Sequence, residues 1–126
     1  MKWLIKIIFV LLFCLFFSIE GRADECSQVS GYTCSQIVDA IYVAEGGEST
    51  KYPFGIVSVK CEGYEECREI CTNTVRNNVK RWQNAVKEGD SRDYLTFLWH
   101  RYCPPTEHSL NANWKNNVEK YLKKNK

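Results

Sequence analysis

Six cysteines, at positions 26, 34, 61, 67, 71 and 103, lie in one stretch of the chain, and the remaining one of seven, Cys14, sits apart in an apolar run. An even set of cysteines in a short exported chain reads as a disulfide framework, and no other feature of the sequence restricts the accessible folds as much. The start of the chain bears on export. Lys2 and Lys6 give a positive end, Ile7 to Phe17 are unbroken apolar residues, and Gly21-Arg22-Ala23 puts small residues at the −3 and −1 positions of a cleavage site. That is the layout of a secretory signal peptide. The run is shorter than the ~20 residues a transmembrane helix needs, and Cys14 follows bulky Phe13 rather than the small residues of a lipoprotein signal. Residues 1–23 are thus expected to be removed, leaving residues 24–126 as a single domain stapled by three bridges among Cys26, Cys34, Cys61, Cys67, Cys71 and Cys103. Six cysteines allow about 15 pairings, and the spacing does not choose among them. Neither zinc nor haem suits them: Cys67 and Cys71 have three residues between them, rather than two, with no histidine pair after them, and neither His100 nor His108 follows a paired cysteine. No cofactor is expected.

Without residues 1–23 the charges balance, but unevenly along the chain. Residues 24–75 hold three basic and nine acidic side chains, and residues 76–126 hold eleven and five. Such polarity suits either a basic face for an anionic partner or the solvated sides of amphipathic helices. It does not call for nucleic acid, and there is no long cationic amphipathic helix to lie on a membrane.

Hydrophobic periodicity predicts a mainly helical fold of about four helices. The first runs from about Thr33 to Glu45: Thr33 and Gln36 have capping-box spacing, and Gly46-Gly47 is a stop. Cys34, Val38, Ile41 and Glu45 share one of its faces. Pro53 and Gly55 break residues 49–61, where residues 56–59 suit a short strand or an extended loop. A longer helix is expected over residues 65–87, with Cys67, Cys71, Val75, Val79, Trp82 and Val86 as its stripe. A third, capped by Asp90 or Ser91, carries Tyr94, Leu95, Phe97, Leu98, Trp99 and Tyr102 and stops at Cys103-Pro104-Pro105. A fourth covers about residues 111–123, with Leu110, Trp114, Val118 and Tyr121 or Leu122 inward. Trp82, Phe97, Leu98, Trp114 and Val118 are expected to meet in one core.

Glu45 is the most informative residue. It falls on the apolar face of the first helix, in its last turn, before two glycines. Partial desolvation and the negative helix end both raise the pKa of a carboxyl in such a place. A carboxylic acid kept neutral toward pH 7 can protonate a leaving oxygen; the alternative is a glutamate that turns to solvent as the helix frays. In residues 52–58, Tyr52 and Phe54 could stack on sugar faces while the backbone about Gly55 and Ser58 meets hydroxyls, or the segment could simply close the core. Asn73, Asn77, Asn78, Asn84, Asn111, Asn113, Asn116 and Asn117 suit carbohydrate hydroxyls or ordinary helix surface. Tyr102 and His100 are candidates to line a cleft, and the two histidines lack a nucleophile pattern for a triad.

The order of these pieces resembles the lysozyme-like superfamily, and within it small lytic transglycosylase-type domains. Ala40-Ile41-Tyr42-Val43-Ala44-Glu45-Gly46-Gly47 occupies the place of a helix ending in the catalytic glutamate. Phe54-Gly55-Ile56-Val57-Ser58 stands for the glycine-containing segment about ten residues later, and Arg101-Tyr102-Cys103-Pro104-Pro105 with residues 111–121 for the later tyrosine and final helix. The likeness spans residues 34–122 and departs from the family pattern in places. Gly46 replaces the usual serine, Gly55-Ile56-Val57-Ser58 lacks the signature glutamine, and Tyr102 is followed by cysteine. The resemblance implies an α+β lysozyme-like fold in a secreted or periplasmic monomer. It also implies cleavage of the β-1,4 bond in peptidoglycan by Glu45, with Tyr52, Phe54, Gly55, Ser58 and Tyr102 toward substrate. Hydrolysis needs a second carboxylate, for which Asp39, Glu48 and Glu62 are the candidates; a transglycosylase needs only one acid/base, and this tilts the expectation to that chemistry. The alternative is a non-catalytic secreted module that binds cell wall or inhibits a wall-active enzyme.

Overall fold

The computed structural model describes residue 26 and residues 28–126. The signal segment, Cys14 and Asp24 lie outside the described residues. Among these residues are four α-helices: α1 (Cys34–Ala44), α2 (Gly63–Lys87), α3 (Tyr94–Tyr102) and α4 (Trp114–Lys124). Short 3₁₀ turns occupy Gly47–Ser49, Pro53–Gly55 and Ser109–Asn113. The expected mainly helical fold is what is found. The β-like option for residues 56–59 is not, since the pairing among the described residues is one antiparallel bridge, Val29 with Tyr32.

Local chemistry accounts for the helix ends. Thr33 Oγ1 accepts from the Gln36 N–H at 3.2 Å, and Gln36 Oε1 accepts from the Thr33 N–H at 2.9 Å, completing the capping box of α1. α2 starts at Gly63, two residues earlier than the periodicity indicates, where the Glu66 carboxylate accepts from the Glu62 N–H at 2.6 Å. Its far end closes as a Schellman motif: the Gly89 N–H reaches the Val86 carbonyl, the Asp90 N–H reaches that of Ala85, and Gly89 takes φ +103°. Asp90 is therefore engaged with α2, and its carboxylate clamps Arg92 at 2.6 Å, which holds its pKa down at about 2. That is why Asp93, not Asp90 or Ser91, caps α3, accepting from the Thr96 N–H at 2.7 Å. α4 starts later than expected, because Asn111 is pinned in the 3₁₀ turn. Its amide donates to the Pro104 carbonyl and its own carbonyl accepts from the Trp99 indole. Leu110 is consequently 70% exposed rather than inward.

The core forms where α1 lies across α4 and α2. Ile37, Val38, Ala40 and Ile41 of α1 meet Val75 and Val79 of α2, Tyr94 and Leu98 of α3, and Trp114, Val118 and Leu122 of α4. Burying a large aliphatic side chain fully contributes about 1.5–3 kcal/mol, so this face of α1 anchors the domain. Of the expected core members, Phe97 stands elsewhere and Trp82 packs against the cluster from its edge. Phe97 is buried outside this cluster, beneath the guanidiniums of Arg92 and Arg101 at 5.2 and 5.8 Å. Trp82 is half-buried, edge-on to Tyr94 and donating to the Arg92 carbonyl. The α2 stripe ends before Val86, which is exposed.

Two bridges staple this frame, Cys26–Cys34 and Cys61–Cys67. The expected third bridge is not formed: Cys71 and Cys103 are free thiols. Cys71 points from α2 into the core, where the Tyr102 hydroxyl lies 3.7 Å from its sulfur. No described helix is long and apolar enough to cross a membrane.

Candidate active site

Glu45 caps the C-terminus of α1, its N–H bonded to the Ile41 carbonyl at 2.9 Å. Gly46 and Gly47 follow at φ +105° and +57°, a left-handed exit that side chains resist, so the helix stops with Glu45 still in register. Being one turn past Ile41, its side chain stays on the inward face. Its Oε1 accepts from the Trp114 indole N–H at 2.8 Å. Oε2 has no hydrogen-bond partner among the described residues and keeps contact with solvent, because no side-chain oxygen is both buried and unsatisfied.

The opposite wall is Gly55. An ideal Cβ there would fall 2.6 Å from Glu45 Cδ and 2.7 Å from Oε2, so the carboxyl rests on bare backbone that only glycine provides. Two successive turns shape this wall, Gly55 N–H to the Tyr52 carbonyl and Ile56 N–H to that of Pro53. Phe54 sits at φ +59°, a conformation costing a non-glycine residue about 1–2 kcal/mol. Packing of its ring holds it there: Phe54 is fully buried, against Tyr42 at 4.9 Å and Tyr64 at 5.6 Å. Its carbonyl accepts the Tyr102 hydroxyl, and the Tyr102 ring stacks on Trp114 at 5.4 Å. The contacts thus close a circuit: Glu45 to Trp114, Trp114 to Tyr102, Tyr102 to Phe54, and Gly55 back to Glu45.

Burial raises the Glu45 pKa above the usual carboxylate value, and the Trp114 N–H works against that rise without cancelling it. Burial also lifts the neighbouring acids: Cys71 and Cys103 are each pushed up to about 11, and the Tyr102 hydroxyl is raised as well. A charge on Glu45 adds to each of these rises, so the cluster as a whole favours protonated forms.

Of the residues singled out from sequence, Glu45, Gly55 and Tyr102 come together. Phe54 joins them through its carbonyl, and its buried ring offers no face to a ligand. Ser58 is exposed along the same loop, in the groove leading from Gly55 and Tyr102, and Tyr52 is 44% exposed outside that groove. The second-carboxylate candidates are occupied or turned outward. Asp39 pairs with Arg68 at 3.0 Å, Glu62 pairs with Lys60 at 3.0 Å, and Glu48 is exposed beside Tyr42. His108 caps the 3₁₀ turn by accepting from the Leu110 N–H, and His100 packs on Trp99. No three His, Cys, Asp or Glu side chains among the described residues could hold a metal ion.

Sequence reasoning placed Trp114 in the core and missed its bond to Glu45. The available signal was chemical: a buried indole N–H requires an acceptor, and an inward carboxyl requires a donor. No family model, curated protein or solved structure matches the chain.

Proposed function

We propose that the chain cuts peptidoglycan glycan strands at the β-1,4 bond between amino sugars, with Glu45 as the single acid/base. One observation carries the reading: a half-buried carboxyl with raised pKa, one oxygen fixed by an indole N–H and the other without a hydrogen-bond partner among the described residues, lies on bare glycine backbone at a helix end. In this mechanism neutral Glu45 gives its proton to the glycosidic oxygen as the C1–O bond breaks. The sugar's own 6-hydroxyl oxygen then bonds to C1, and its proton returns to the Glu45 carboxylate, leaving an anhydro end. Trp114 keeps the carboxyl in one orientation through both transfers. The engagement of Asp39 and Glu62 with other partners favours this route over two-carboxylate hydrolysis. The two bridges suit an oxidising compartment, secreted or periplasmic, in keeping with the signal-like start of the sequence.

The test is release of muropeptides from purified sacculi, read by mass spectrometry. Wild type is expected to release anhydro-ended fragments, and Glu45→Gln, which keeps the shape but not the transferable proton, should lose about 10²–10⁴-fold in rate while remaining folded. Reducing ends carrying one added water would replace transglycosylation with hydrolysis. If folded wild type released nothing, or Glu45→Gln released as much, catalysis would be lost and a non-catalytic wall-binding module would take its place.

A further inference from the structure

A groove of about 300 Å³ leads away from Gly55 and Tyr102 along α2. Its floor is one face of that helix: Ile70, Thr74, Asn78 and Arg81 recur at helical spacing over about 16 Å of axis. Residues 55–59 form one wall, with Val57 and Val59 exposed by 70% and 52%, and the C-terminal turn of α3 supplies Arg101 and Tyr102 opposite. The lining contains two guanidiniums and no carboxylate.

Arg101 is held rather than loose. Asn78, only 5% exposed, donates its amide to the Thr74 carbonyl and accepts from Arg101 Nε at 2.8 Å. Phe97 lies under the same guanidinium at 5.8 Å. A buried side-chain amide with both ends engaged fixes the head group it binds, and the remaining Arg101 N–H groups stay available. Neither Arg101 nor Arg81 makes an ion pair with a carboxylate among the described residues. A pre-oriented guanidinium is suited to paired hydrogen bonds with a carboxylate, and ordering it beforehand lowers the cost of binding.

We propose that this groove binds a carboxylate carried by the glycan strand, through Arg81 and Arg101, with Asn78 as the positioning residue for Arg101. The inference rests on the glycan-cutting reading and adds to it that the strand must be anionic beside the bond that is cut. The carboxylate has two sources in peptidoglycan, the lactyl arm of the sugar and the peptide attached to it, and both present the same group to the arginines.

Binding is measured with the Glu45→Gln protein, so that turnover is slow against the titration, by calorimetric titration of soluble peptidoglycan fragments. Three probes are compared: peptide-bearing strands, strands stripped of peptide so that the lactyl carboxyl is free, and either strand with its carboxyls converted to methylamides. Added Arg81→Gln or Arg101→Gln should each weaken binding of the charged probes about tenfold. The methylamides should bind the two-arginine protein and its variants alike, and whichever unblocked probe responds more strongly identifies the source. Thermal melts check folding. If Arg101→Gln proves unstable through loss of the Asn78 contact, Arg81→Gln and the methylamide comparison decide by themselves. Equal binding of charged and methylamide probes, unchanged binding by a folded Arg81→Gln protein, or no saturable binding overturns the proposal. Cleavage of sacculi with charge-independent binding would sink this inference alone, whereas charge-dependent binding without cleavage by wild type would sink the catalytic reading and leave the carboxylate site.

Discussion

The contact between Gly55 and Glu45 lends itself to a direct perturbation, Gly55→Ala. The new Cβ would stand 2.6 Å from Glu45 Cδ and 2.7–2.8 Å from the two oxygens. Carbon atoms settle at about 3.5 Å or more, so the carboxyl would have to retreat by about 0.9 Å. The hydrogen bond from Trp114, now 2.8 Å, would stretch past the ~3.2 Å limit of a good N–H···O contact. Two costs add: about 1–2 kcal/mol for a side chain at φ +68°, and about 0.5–1.5 kcal/mol for the lost hydrogen bond. The melting temperature should fall by roughly 6 °C or more. Activity should fall much further, because a displacement of about 1 Å at a reacting group costs on the order of 10²-fold. Gly31→Ala is the control, since it has φ +81° but nothing within 4 Å of its Cβ. It should show the backbone cost alone and keep its muropeptide release. If Gly55→Ala cut sacculi within a few-fold of wild type, or lost no more stability than Gly31→Ala, the carboxyl would not lie where the geometry places it.

Activity should decline as pH rises through the raised pKa of Glu45, since the acid must be neutral to protonate the leaving oxygen. Trp114→Phe keeps the burial and removes the N–H that opposes it, so the alkaline limb of the pH–rate profile should move to higher pH; a limb that moved down would refute the assignment. The same variant should lose more stability than wild type between acid and neutral pH. A carboxyl whose folded pKa exceeds its unfolded one releases its proton first in the unfolded chain, so stability falls as pH rises from the unfolded pKa to the folded one, and a wider gap deepens that loss. In the native protein Cys71 and Cys103 should alkylate slowly, because both thiols stay protonated with pKa values near 11, and peptide mapping after denaturation without reductant should find both modified. Full protection of both under those conditions would mean that they form the third bridge the cysteine count suggests.

What was legible in the sequence is what short-range chemistry decides. The Thr33–Gln36 box and the Gly46-Gly47 stop each depend on residues within about one turn, and each appears where the residue types require it. Periodicity placed Glu45 on the inward face because it shares helical spacing with the apolar residues Cys34, Val38 and Ile41, and all three are buried in the structure. It could not place Phe97, whose apolar spacing suits the main core equally well; only the positions of Arg92 and Arg101 show that two guanidiniums cover it. Nor could it distribute the cysteines, since pairing depends on which thiols the chain brings together, and Cys71 is turned inward toward Tyr102 instead.

The site itself depends on contacts distant in sequence. Trp114 reaches Glu45 across 69 residues and Tyr102 reaches the Phe54 carbonyl across 48. Neither pair is marked by spacing, yet each member has an unmet need that its own helix cannot satisfy: an indole N–H, a tyrosine hydroxyl, an inward carboxyl, and a carbonyl turned out of the ladder by a left-handed residue. Burial obliges such groups to find one another. Joining α1, the 52–56 turn, α3 and α4 around one carboxyl also means that loss of any one contact should be felt by the others. Tyr102→Phe, which leaves the Phe54 carbonyl without its donor, would thus act on Glu45 through the Gly55 wall rather than directly. That coupling is measurable: a double-mutant cycle between Tyr102→Phe and Gly55→Ala should be non-additive in muropeptide release, because both changes act on the same carboxyl through the same turn. Strict additivity would mean that the turn transmits nothing and that Tyr102 serves only to stack on Trp114.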